Sequence, residues 1–393
     1  AFGVWCVVFG VWGALLNSLI IRIKTKAKRH PPLNTKHHTP NTMIQYALRR
    51  LAYGLLVMVL VICTVTSIIY LTPVDPAQLT FGQRSDVSTV KAKTAELGLD
   101  QPLYRQLLAY LADISPVSIL KQTPENQRKY HFYPLFPIGE TGALVLKAPY
   151  LRESYQSGRP VSEILAEAIP NTALLAGIAM LLATLLGILF GVLAALRPHT
   201  VGDHLISVFS VFGYSLPSYV AAMLLALVFG FWLGDRTGLE VQGSLYVLDD
   251  FGDWEFRWRN LVLPAIALGM RPVALITQLT RSAMLDVLSQ DFVRTAAAKG
   301  LPARRIVVGH ALRNALNPIV SAVSGWFAAL LTGAFFVENV FNFKGLGSAT
   351  ITALLNFDIP VVLGCVLFTV SIFVVVNIIS DLLYGLLDPR VTL

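Results

Sequence analysis

Residues 291–318 combine small side chains with positive charge in a chain that is otherwise strongly apolar. Ala296 and Ala297 precede Gly300 by four and three residues, a spacing that predicts that all three share one face of a helix. Because a face without bulky side chains lets another backbone approach closely, this pattern favours the docking of a second protein. The flanking charges that can make polar contacts around this face are Asp291, Arg294, Lys299, Arg304 and Arg305.

The alternative for this segment is a helix that rests on anionic lipid, with its Lys and Arg side chains against the headgroups. Interfacial helices of that kind usually bury bulky Leu, Phe or Trp side chains, whereas alanine and glycine occupy the corresponding face here. Composition alone therefore favours protein docking by a modest margin.

Helix start and stop signals predict a rigid shape for the same segment. The preceding span is expected to continue into it as helix, and Gly300 to end that helix because glycine takes the left-handed conformation freely. Pro302 is expected to be the first residue of a second helix, where its missing N–H costs nothing. The second helix is predicted to run to Asn314 or slightly further, with Pro318 at the start of the next span. The result would be two short cytoplasmic helices at an angle.

Arg271 is a strongly charged residue deep in an apolar run. It follows Asn260 by eleven residues, which is about 16 Å along a helix axis. An arginine that faced lipid at this depth would be costly, so its side chain is expected to face the bundle interior or a water-filled cavity. We expect Arg271 to line a transport pathway; the alternative is a structural ion pair with a carboxylate on another helix.

The sequence contains no arrangement of residues suited to catalysis. The motif G-x-x-x-x-G-K-[ST] does not occur, so the chain is not expected to hold ATP phosphates in a P-loop. No metal-ligand cluster, catalytic triad or pair of catalytic carboxylates stands out, and no cofactor is expected. Cys6, Cys63 and Cys365 each lie in an apolar run, where they are expected to act as small hydrophobic side chains. The chain is predicted not to be an enzyme.

The elements that position these residues are long apolar helices. Of the 393 residues, 55% are hydrophobic and 14% are charged, whereas a soluble domain has about 25% charged residues. Mean hydropathy is +0.63, and the apolar runs reach the length of about 20 residues that a bilayer core requires. The sequence predicts an all-α polytopic membrane protein. Its spans are expected at 47–72, 171–196, 203–234, 260–288, 315–340 and 360–386.

The placement of Lys and Arg predicts the orientation of these spans. Segments 22–50, 197–202 and 289–314 are basic and fall on one side when the spans are counted, so they are predicted to be cytoplasmic. The connection 235–259 falls on the other side and is acidic. The net charge of +8 is therefore explained by the positive-inside rule, and no nucleic-acid partner is expected.

The chain is predicted to consist of four parts. Residues 1–42 form an N-terminal extension, in which the apolar stretch 1–21 is either an extra transmembrane helix or the product of a start placed too far upstream; a signal peptide is disfavoured because no charged region precedes it. Residues 43–72 contain the first span and 73–170 a long external segment, predicted to be partly helical and then turn-rich. Residues 171–393 form a five-helix core that contains the loop 289–318.

Several motifs along the chain resemble one family of membrane proteins. In order, they are "GLDQPL" (98–103), "GRPVSEIL" (158–165), "LTRSAMLDVL" (279–288), "DFVRTAAAKGL" (291–301), "FFVENVFNFKGLGSA" (335–349), "DIP" (358–360) and "DLLYGLLDPRV" (381–391). Together they resemble the dipeptide, oligopeptide and nickel permeases of binding-protein-dependent ABC importers. The family's cytoplasmic Glu-Ala-Ala loop corresponds to Thr295, Ala296 and Ala297, with Asp291 supplying an acidic residue one turn earlier.

This resemblance implies a six-helix permease bundle in the bacterial inner membrane, with 291–318 as the loop that couples it to an ATPase. It implies a second homologous permease, two ATP-hydrolysing subunits and an external solute-binding protein as partners. It also implies that ATP is used by the partner subunits and not bound by this chain. The competing hypothesis is a secondary transporter driven by an ion gradient, which would predict inverted repeats and an ion site at the membrane midplane. Neither feature is visible in the sequence.

Overall fold

The structure is a computed structural model that describes residues 40–71, 101–138, 142–248 and 252–387. The predicted extra helix at 1–21 and residues 73–100 of the external segment lie outside the described residues. In chain order the described elements are α1 (Pro40–Leu71), α2 (Leu103–Ile114), β1 (Val117–Lys121), α3 (Pro124–Tyr130), β2 (Tyr133–Ile138), β3 (Gly142–Leu146), α4 (Val161–Leu196), α5 (Val201–Ser215), α6 (Ser218–Leu225), a π-helical segment (Ala226–Trp232), α7 (Gly234–Thr237), β4 (Tyr246–Leu248), β5 (Trp254–Phe256), a 3-10 turn (Trp258–Leu261), α8 (Val262–Leu288), α9 (Asp291–Ala298), a second π-helical segment (Arg305–Leu312), α10 (Arg313–Gly333), α11 (Phe335–Val340), α12 (Leu346–Leu355) and α13 (Ile359–Leu387).

The apolar runs form the predicted spans. In the described part of the chain, α1, α4, α8 with its preceding turn, and α13 are each long and apolar enough to cross a membrane. Two bent helix pairs bring the number of candidate spans to as many as six. The six predicted positions are therefore occupied by helices, although three of them differ in detail from the prediction.

The second span begins ten residues earlier than predicted. The amphipathic stretch 159–170 is predicted to form a separate surface helix before the second span, but α4 starts at Val161 and runs through Pro170 without interruption. The reason lies in packing, because Val161 and Leu165 are buried rather than laid on a surface. A Cβ added to Gly364 of α13 would lie 2.5 Å from Val161 Cγ1, so the two helices touch at this glycine.

The third span is broken rather than continuous. α5 and the helix that follows it meet at an angle of 106°, and the break falls at Leu216 and Pro217. The bend lies at Pro217, where a proline interrupts the apolar run, and the predicted span over 203–234 is a bent helix pair rather than one straight helix. The carbonyl of Pro217 accepts hydrogen bonds from the N–H groups of Val220 and Ala221 at 3.0 and 3.1 Å, so a new helix starts at the proline.

The fifth span is also bent and is shorter than predicted. The helix over residues 305–316 and the one over 318–331 meet at 55°, which places the bend at Pro318. α10 ends at Gly333 rather than near 340, and a separate short helix, α11, follows. The residues of α11 therefore lie beyond the apolar span.

Glycine allows the two central helices, α4 and α8, to pack closely. A Cβ added to Gly187 would lie 2.7 Å from Ile276 Cβ, and one added to Gly191 would lie 2.7 Å from the carbonyl oxygen of Thr277. The four-residue spacing puts both glycines on one face of α4, an arrangement typical of close contacts between membrane helices. This contact fixes α8, which carries Arg271 and leads into the segment that holds the other candidate residues, against α4.

The external segment contains a small antiparallel sheet that the sequence did not predict. Its strand order is β1-β3-β2, and Ala143 and Val145 of the central strand are fully buried beside Phe132. The segment is joined to the membrane helices through the carboxylate of Asp358, which accepts hydrogen bonds from the Ser154 hydroxyl and from the N–H of Tyr155. Asp358 immediately precedes α13, so the external segment is held at the start of the last span.

Candidate functional site

The corner between α8 and α10, residues 289–304, forms the centre of the candidate site. α8 does not continue into this corner as predicted; it ends at Leu288, and a separate helix, α9, begins at Asp291. The carbonyl of Gln290 accepts hydrogen bonds from Val293 and Arg294, so the two residues 289 and 290 form a turn between the helices. This turn changes the direction of the chain and rotates α9 relative to the face expected from α8.

Gly300 ends α9 as predicted. Its φ is +75°, which is the left-handed region that favours glycine, and a Cβ at this position would meet nothing within 4 Å. The N–H of Gly300 donates to the carbonyl of Ala297, and the N–H of Leu301 donates to that of Ala296. These two bonds form a Schellman motif, in which the apolar residue after the glycine packs back onto the last turn. Leu301 packs into the same cluster as Ala296, so the end of α9 is fixed.

The predicted small face of α9 is divided by the fold. Ala296 is 8% exposed and packs with Val293 and Ile306 against the last turns of α8, whereas Ala297 and Gly300 are exposed. The expectation that Ala296, Ala297 and Gly300 present one common surface is therefore wrong. Val293 and Ala296 are three residues apart, so they lie on the same side of α9, which faces α8. The adjacent position, Ala297, lies on the outer side.

The remaining predicted residues of the corner all point outward. Arg294 approaches Asp291 at 3.7 Å, but the two side chains are 76% and 97% exposed, so the pair leaves both charges accessible. The hydroxyl of Thr295 donates to the carbonyl of Asp291 at 2.9 Å. The corner thus offers a firm backbone with an exposed small patch and mixed charge around it. Its exposed predicted residues are Asp291, Arg294, Thr295, Ala297, Lys299, Gly300, Arg304 and Arg305.

The second half of the corner begins next to its predicted position. Pro302 directly precedes the helix, and its carbonyl accepts hydrogen bonds from Arg305 and Ile306 at 2.9 and 3.2 Å. The helix runs through a π-helical segment to residue 316, slightly beyond Asn314, and a 55° bend separates it from the helix that starts at Pro318, as predicted. The corner is therefore joined directly to a candidate membrane span.

Arg271 lies near the middle of α8, away from the corner. Its guanidinium carbon is 5.3 Å from the ring centre of Tyr214, and its Nε atom is buried without a hydrogen-bond partner. Among the residues that the structure describes, no carboxylate lies within ion-pair distance of Arg271, in contrast to the structural-pair alternative. The side chain is partly buried, as expected for an arginine that faces away from lipid.

A second arginine of α8 has the ion pair that Arg271 lacks, and sequence reasoning did not identify it. Arg281 donates from Nε and a terminal nitrogen to the two carboxylate oxygens of Asp203, at 2.6 and 2.7 Å. Asp203 is 3% exposed and also accepts a hydrogen bond from the N–H of His199. Two signals in the sequence could have indicated this pair: Asp203 falls in the first turn of a helix, and Arg281 falls in an apolar run. This pair ties the first turn of α5 to α8 near the corner.

Glu338 organises the opposite end of the bundle. Its side chain is fully buried and accepts hydrogen bonds from the Thr172 hydroxyl at 2.7 Å and from the N–H of Ser348 at 3.0 Å. Burial raises the pKa of Glu338 to about 7, although both hydrogen bonds act in the opposite direction. Gly345 and Gly347 leave room for Glu338, since a Cβ at either position would collide with its carboxylate or a neighbour.

The comparisons with known proteins agree with these observations. Residues 187–393 match the family model of the binding-protein-dependent transport system inner membrane component, and residues 43–125 match the model of its N-terminal region. The di/tripeptide transport system permease protein DppB of Pseudomonas aeruginosa is 33% identical over 368 residues, which cover 89% of this chain and 99% of that protein.

A second relative has the same coverage, and a solved structure matches a shorter part of the chain. The dipeptide transport system permease protein DppB of Escherichia coli K12 is 33% identical over 367 residues, again covering 89% of this chain and 99% of that protein. A structure of the methionine ABC transporter MetNI in an inward-facing conformation is 15% identical, with a TM-score of 0.46, and covers 58% of this chain and 97% of that one. A family model over more than half of the chain and relatives of this identity and coverage establish that the chain, a multi-pass α-helical protein of the inner membrane, belongs to the family of binding-protein-dependent transport system membrane components, the permeases of ABC importers.

Proposed function

We propose that this permease imports peptides and that the exposed corner at 289–304 is where it binds the ATP-hydrolysing subunits. The names of its relatives support the substrate class, because those at 33% identity are di- and tripeptide permeases. Family membership accounts for a general requirement for ATPase and binding-protein partners and replaces the hypothesis of an ion-gradient-driven transporter.

The observation that carries the coupling proposal is the combination of an exposed small patch with a buried base in α9. Val293 and Ala296 anchor the helix to α8, while Ala297 and Gly300 face outward without bulky neighbours. A partner that pushes on this surface therefore moves α8 and, through Pro302 and the continuous helix beyond it, α10 as well. A corner with a frayed end would absorb the motion instead, and the Schellman motif at Gly300 prevents that.

The division of labour among the subunits is also part of this proposal. The chain has no P-loop sequence, so ATP is held and hydrolysed by two partner subunits and not by this permease. Six spans supply half of a pathway, and a second homologous permease supplies the other half. An external solute-binding protein delivers the peptide, and the external segment, held at the start of α13 by Asp358, lies on the side where it arrives.

Co-purification of the ATPase subunits with tagged permease tests this proposal. Ala297→Arg adds a bulky charge to the exposed patch without disturbing a buried contact, so bound ATPase is expected to fall at least tenfold. Gly300→Trp is expected to have the same effect, with added backbone strain from the positive φ. Ala109→Arg, at an exposed alanine of α2 in the external segment, is the matched control and is expected to leave ATPase binding unchanged.

The result is interpreted only for variants that elute as folded protein with an unchanged melting temperature. ATPase recovery with Ala297→Arg at the wild-type level would contradict the proposed docking surface. An equal loss with Ala109→Arg would contradict it as well, because the effect would then not depend on the corner.

A further inference from the structure

The exposed residues of α4 show what a lipid-facing surface looks like in this protein. Over residues 173–196, every exposed residue of α4 is Leu, Phe or Ala. Leucines at 181 and 185 are each 59% exposed, as expected for side chains that contact acyl chains in the membrane. The members of this surface are Ala173, Leu174, Leu181, Leu182, Leu185, Leu186, Leu189, Phe190, Leu193 and Leu196.

One face of α8 has the opposite character. Gln278, Ser282 and Asp286 are exposed and follow Arg271 at intervals of seven, four and four residues. At about 100° per residue these intervals place all four side chains within an arc of roughly 80°, so they form one stripe along the helix. Ile266 is also exposed, but it lies on the opposite side of the helix. We call the four polar residues the α8 stripe.

The side chains of the α8 stripe have no polar partners in the described part of the chain. Within that part, Gln278 and Ser282 make no side-chain hydrogen bond, and the guanidinium of Arg271 lies over the ring of Tyr214 with its Nε atom unpartnered. Exposed polar groups of this kind cannot be satisfied by lipid tails, and an arginine is the most expensive of them. The stripe therefore faces water or other polar groups.

The neighbouring helix α10 supports this orientation. It packs against α8, and its exposed residues over 318–331 are Pro318, Ser321 and Gly325. None of these is a large apolar residue, and a Cβ added to Gly325 would meet nothing within 4 Å. Two adjacent helices thus have exposed faces that differ from the leucine-rich surface of α4.

We propose that the α8 stripe forms the wetted wall of the transport pathway and that Arg271 binds the carboxylate of the transported peptide. This inference rests on the proposed function, because it assumes that the chain lines a peptide pathway. The guanidinium suits this role because its fork matches a carboxylate in two parallel hydrogen bonds, and Tyr214 covers one side of it. Asp286, the acidic member of the stripe, is fifteen residues away, or about 22 Å along the helix, so it leaves Arg271 free for an external carboxylate.

Cysteine labelling in the assembled transporter tests the wall. Single cysteines are placed at Gln278 and Ser282 in a chain whose own cysteines have been replaced, and the complex is held in nanodiscs. Charged methanethiosulfonate reagents are expected to modify Gln278→Cys and Ser282→Cys readily. Leu185→Cys, equally exposed in this chain but on the α4 surface, is the matched control and is expected to react at least tenfold more slowly. Equal labelling rates at all three positions would overturn the proposal that the α8 stripe faces a water-filled pathway.

The charge of the reagent tests the role of Arg271. Gln278 lies two turns from Arg271 on the same stripe, about 10 Å away, so a positive field there accelerates an anionic sulfonate reagent relative to a cationic trimethylammonium reagent. The ratio of the two rates at Gln278→Cys is expected to fall severalfold with Arg271→Gln and to be retained with Arg271→Lys. An unchanged ratio with Arg271→Gln would overturn the proposed carboxylate site.

Uptake of labelled alanyl-alanine completes the test. Arg271→Gln is expected to lower uptake at least tenfold with the normal amount of co-purified ATPase, and Arg271→Lys to retain a substantial part. If uptake falls only in proportion to the amount of assembled complex, Arg271 is a structural residue and the inference fails. A parent complex that binds ATPase and transports the peptide while the stripe remains unlabelled would refute this inference alone, whereas a parent without ATPase would refute the proposed function.

Discussion

The two arginines of α8 illustrate how the same residue type serves different purposes within one helix. Arg281 is neutralised by Asp203 through two hydrogen bonds, whereas Arg271 has an aromatic ring and no carboxylate in ion-pair distance within the described chain. Removing one partner of a buried pair leaves the other charge without compensation. Arg281 is therefore expected to contribute to stability, and Arg271 to transport.

At Arg281 the prediction concerns stability. Arg281→Met leaves the carboxylate of Asp203 buried without its partner and is expected to lower the free energy of unfolding by about 1.5–3 kcal/mol. Arg294→Met, which removes an exposed pair with Asp291, is the control and is expected to cost less than about 1 kcal/mol. Both are measured by thermal unfolding of the purified chain in detergent; equal losses for the two variants would contradict the importance of the buried pair.

The raised pKa of Glu338 predicts how the stability of the chain depends on pH. Its pKa is raised to about 7 from an ordinary value of 4.5, so the native state binds the proton more tightly than the unfolded state. The contribution of Glu338 to the free energy of unfolding is complete below its ordinary pKa of 4.5 and is lost as the pH rises through about 7. The chain is expected to be about 1 kcal/mol more stable at pH 6 than at pH 8. Glu338→Gln removes this group's titration, and an identical pH dependence in that variant would show that Glu338 is not responsible.

At the scale of elements, the contact between α4 and α8 depends on the absence of side chains at two positions. A Cβ at Gly191 would lie 2.5 Å from Thr280 Cβ and 2.7 Å from the carbonyl oxygen of Thr277. Since one of these atoms belongs to the backbone, the helices must separate to accept a methyl group. The position of α8 relative to the rest of the bundle, and hence of the corner, depends on this contact.

Substitution of glycine by alanine at two positions of α4 tests this packing. Gly191→Ala is expected to destabilise the chain by about 1–3 kcal/mol through overpacking. Gly177→Ala, on the same helix but with nothing within 4 Å of the added methyl group, is expected to be stabilising by about 0.5–1 kcal/mol because alanine favours helix. Thermal unfolding of the two variants measures the difference; a stable Gly191→Ala chain would mean that the helices are not in close contact.

The positions of the spans could be predicted from the sequence, whereas several contacts between these elements could not. Apolar runs predicted where the spans lie because burial in lipid requires a minimum length. Pro318 was predicted to start the fifth span because a proline has no backbone donor, and the structure has a 55° bend there. The side of α9 that carries Ala296 could not be predicted, because the turn at 289–290 resets the helix phase. The sheet at β1-β3-β2 and the Asp203–Arg281 pair depend on contacts between distant residues, which periodicity does not report.

The whole molecule has two organised ends connected by its central helices. The corner at 289–304 is built around Val293 and Ala296, and the opposite end is built around Glu338 and Asp358. α4 and α8 run between these ends in close contact along their lengths. Packed helices, rather than loops, therefore connect the corner to the opposite end of the bundle.

The most direct test of this account is the energy source for transport in reconstituted vesicles. Uptake of labelled alanyl-alanine is measured with the complete complex and binding protein, once with ATP and no ion gradient and once with an imposed ion gradient and no ATP. The account predicts uptake with ATP alone, abolished by Ala297→Arg in the corner and retained by Ala109→Arg. Uptake driven by the ion gradient without ATP, or ATP-driven uptake that is unaffected by Ala297→Arg, would contradict it.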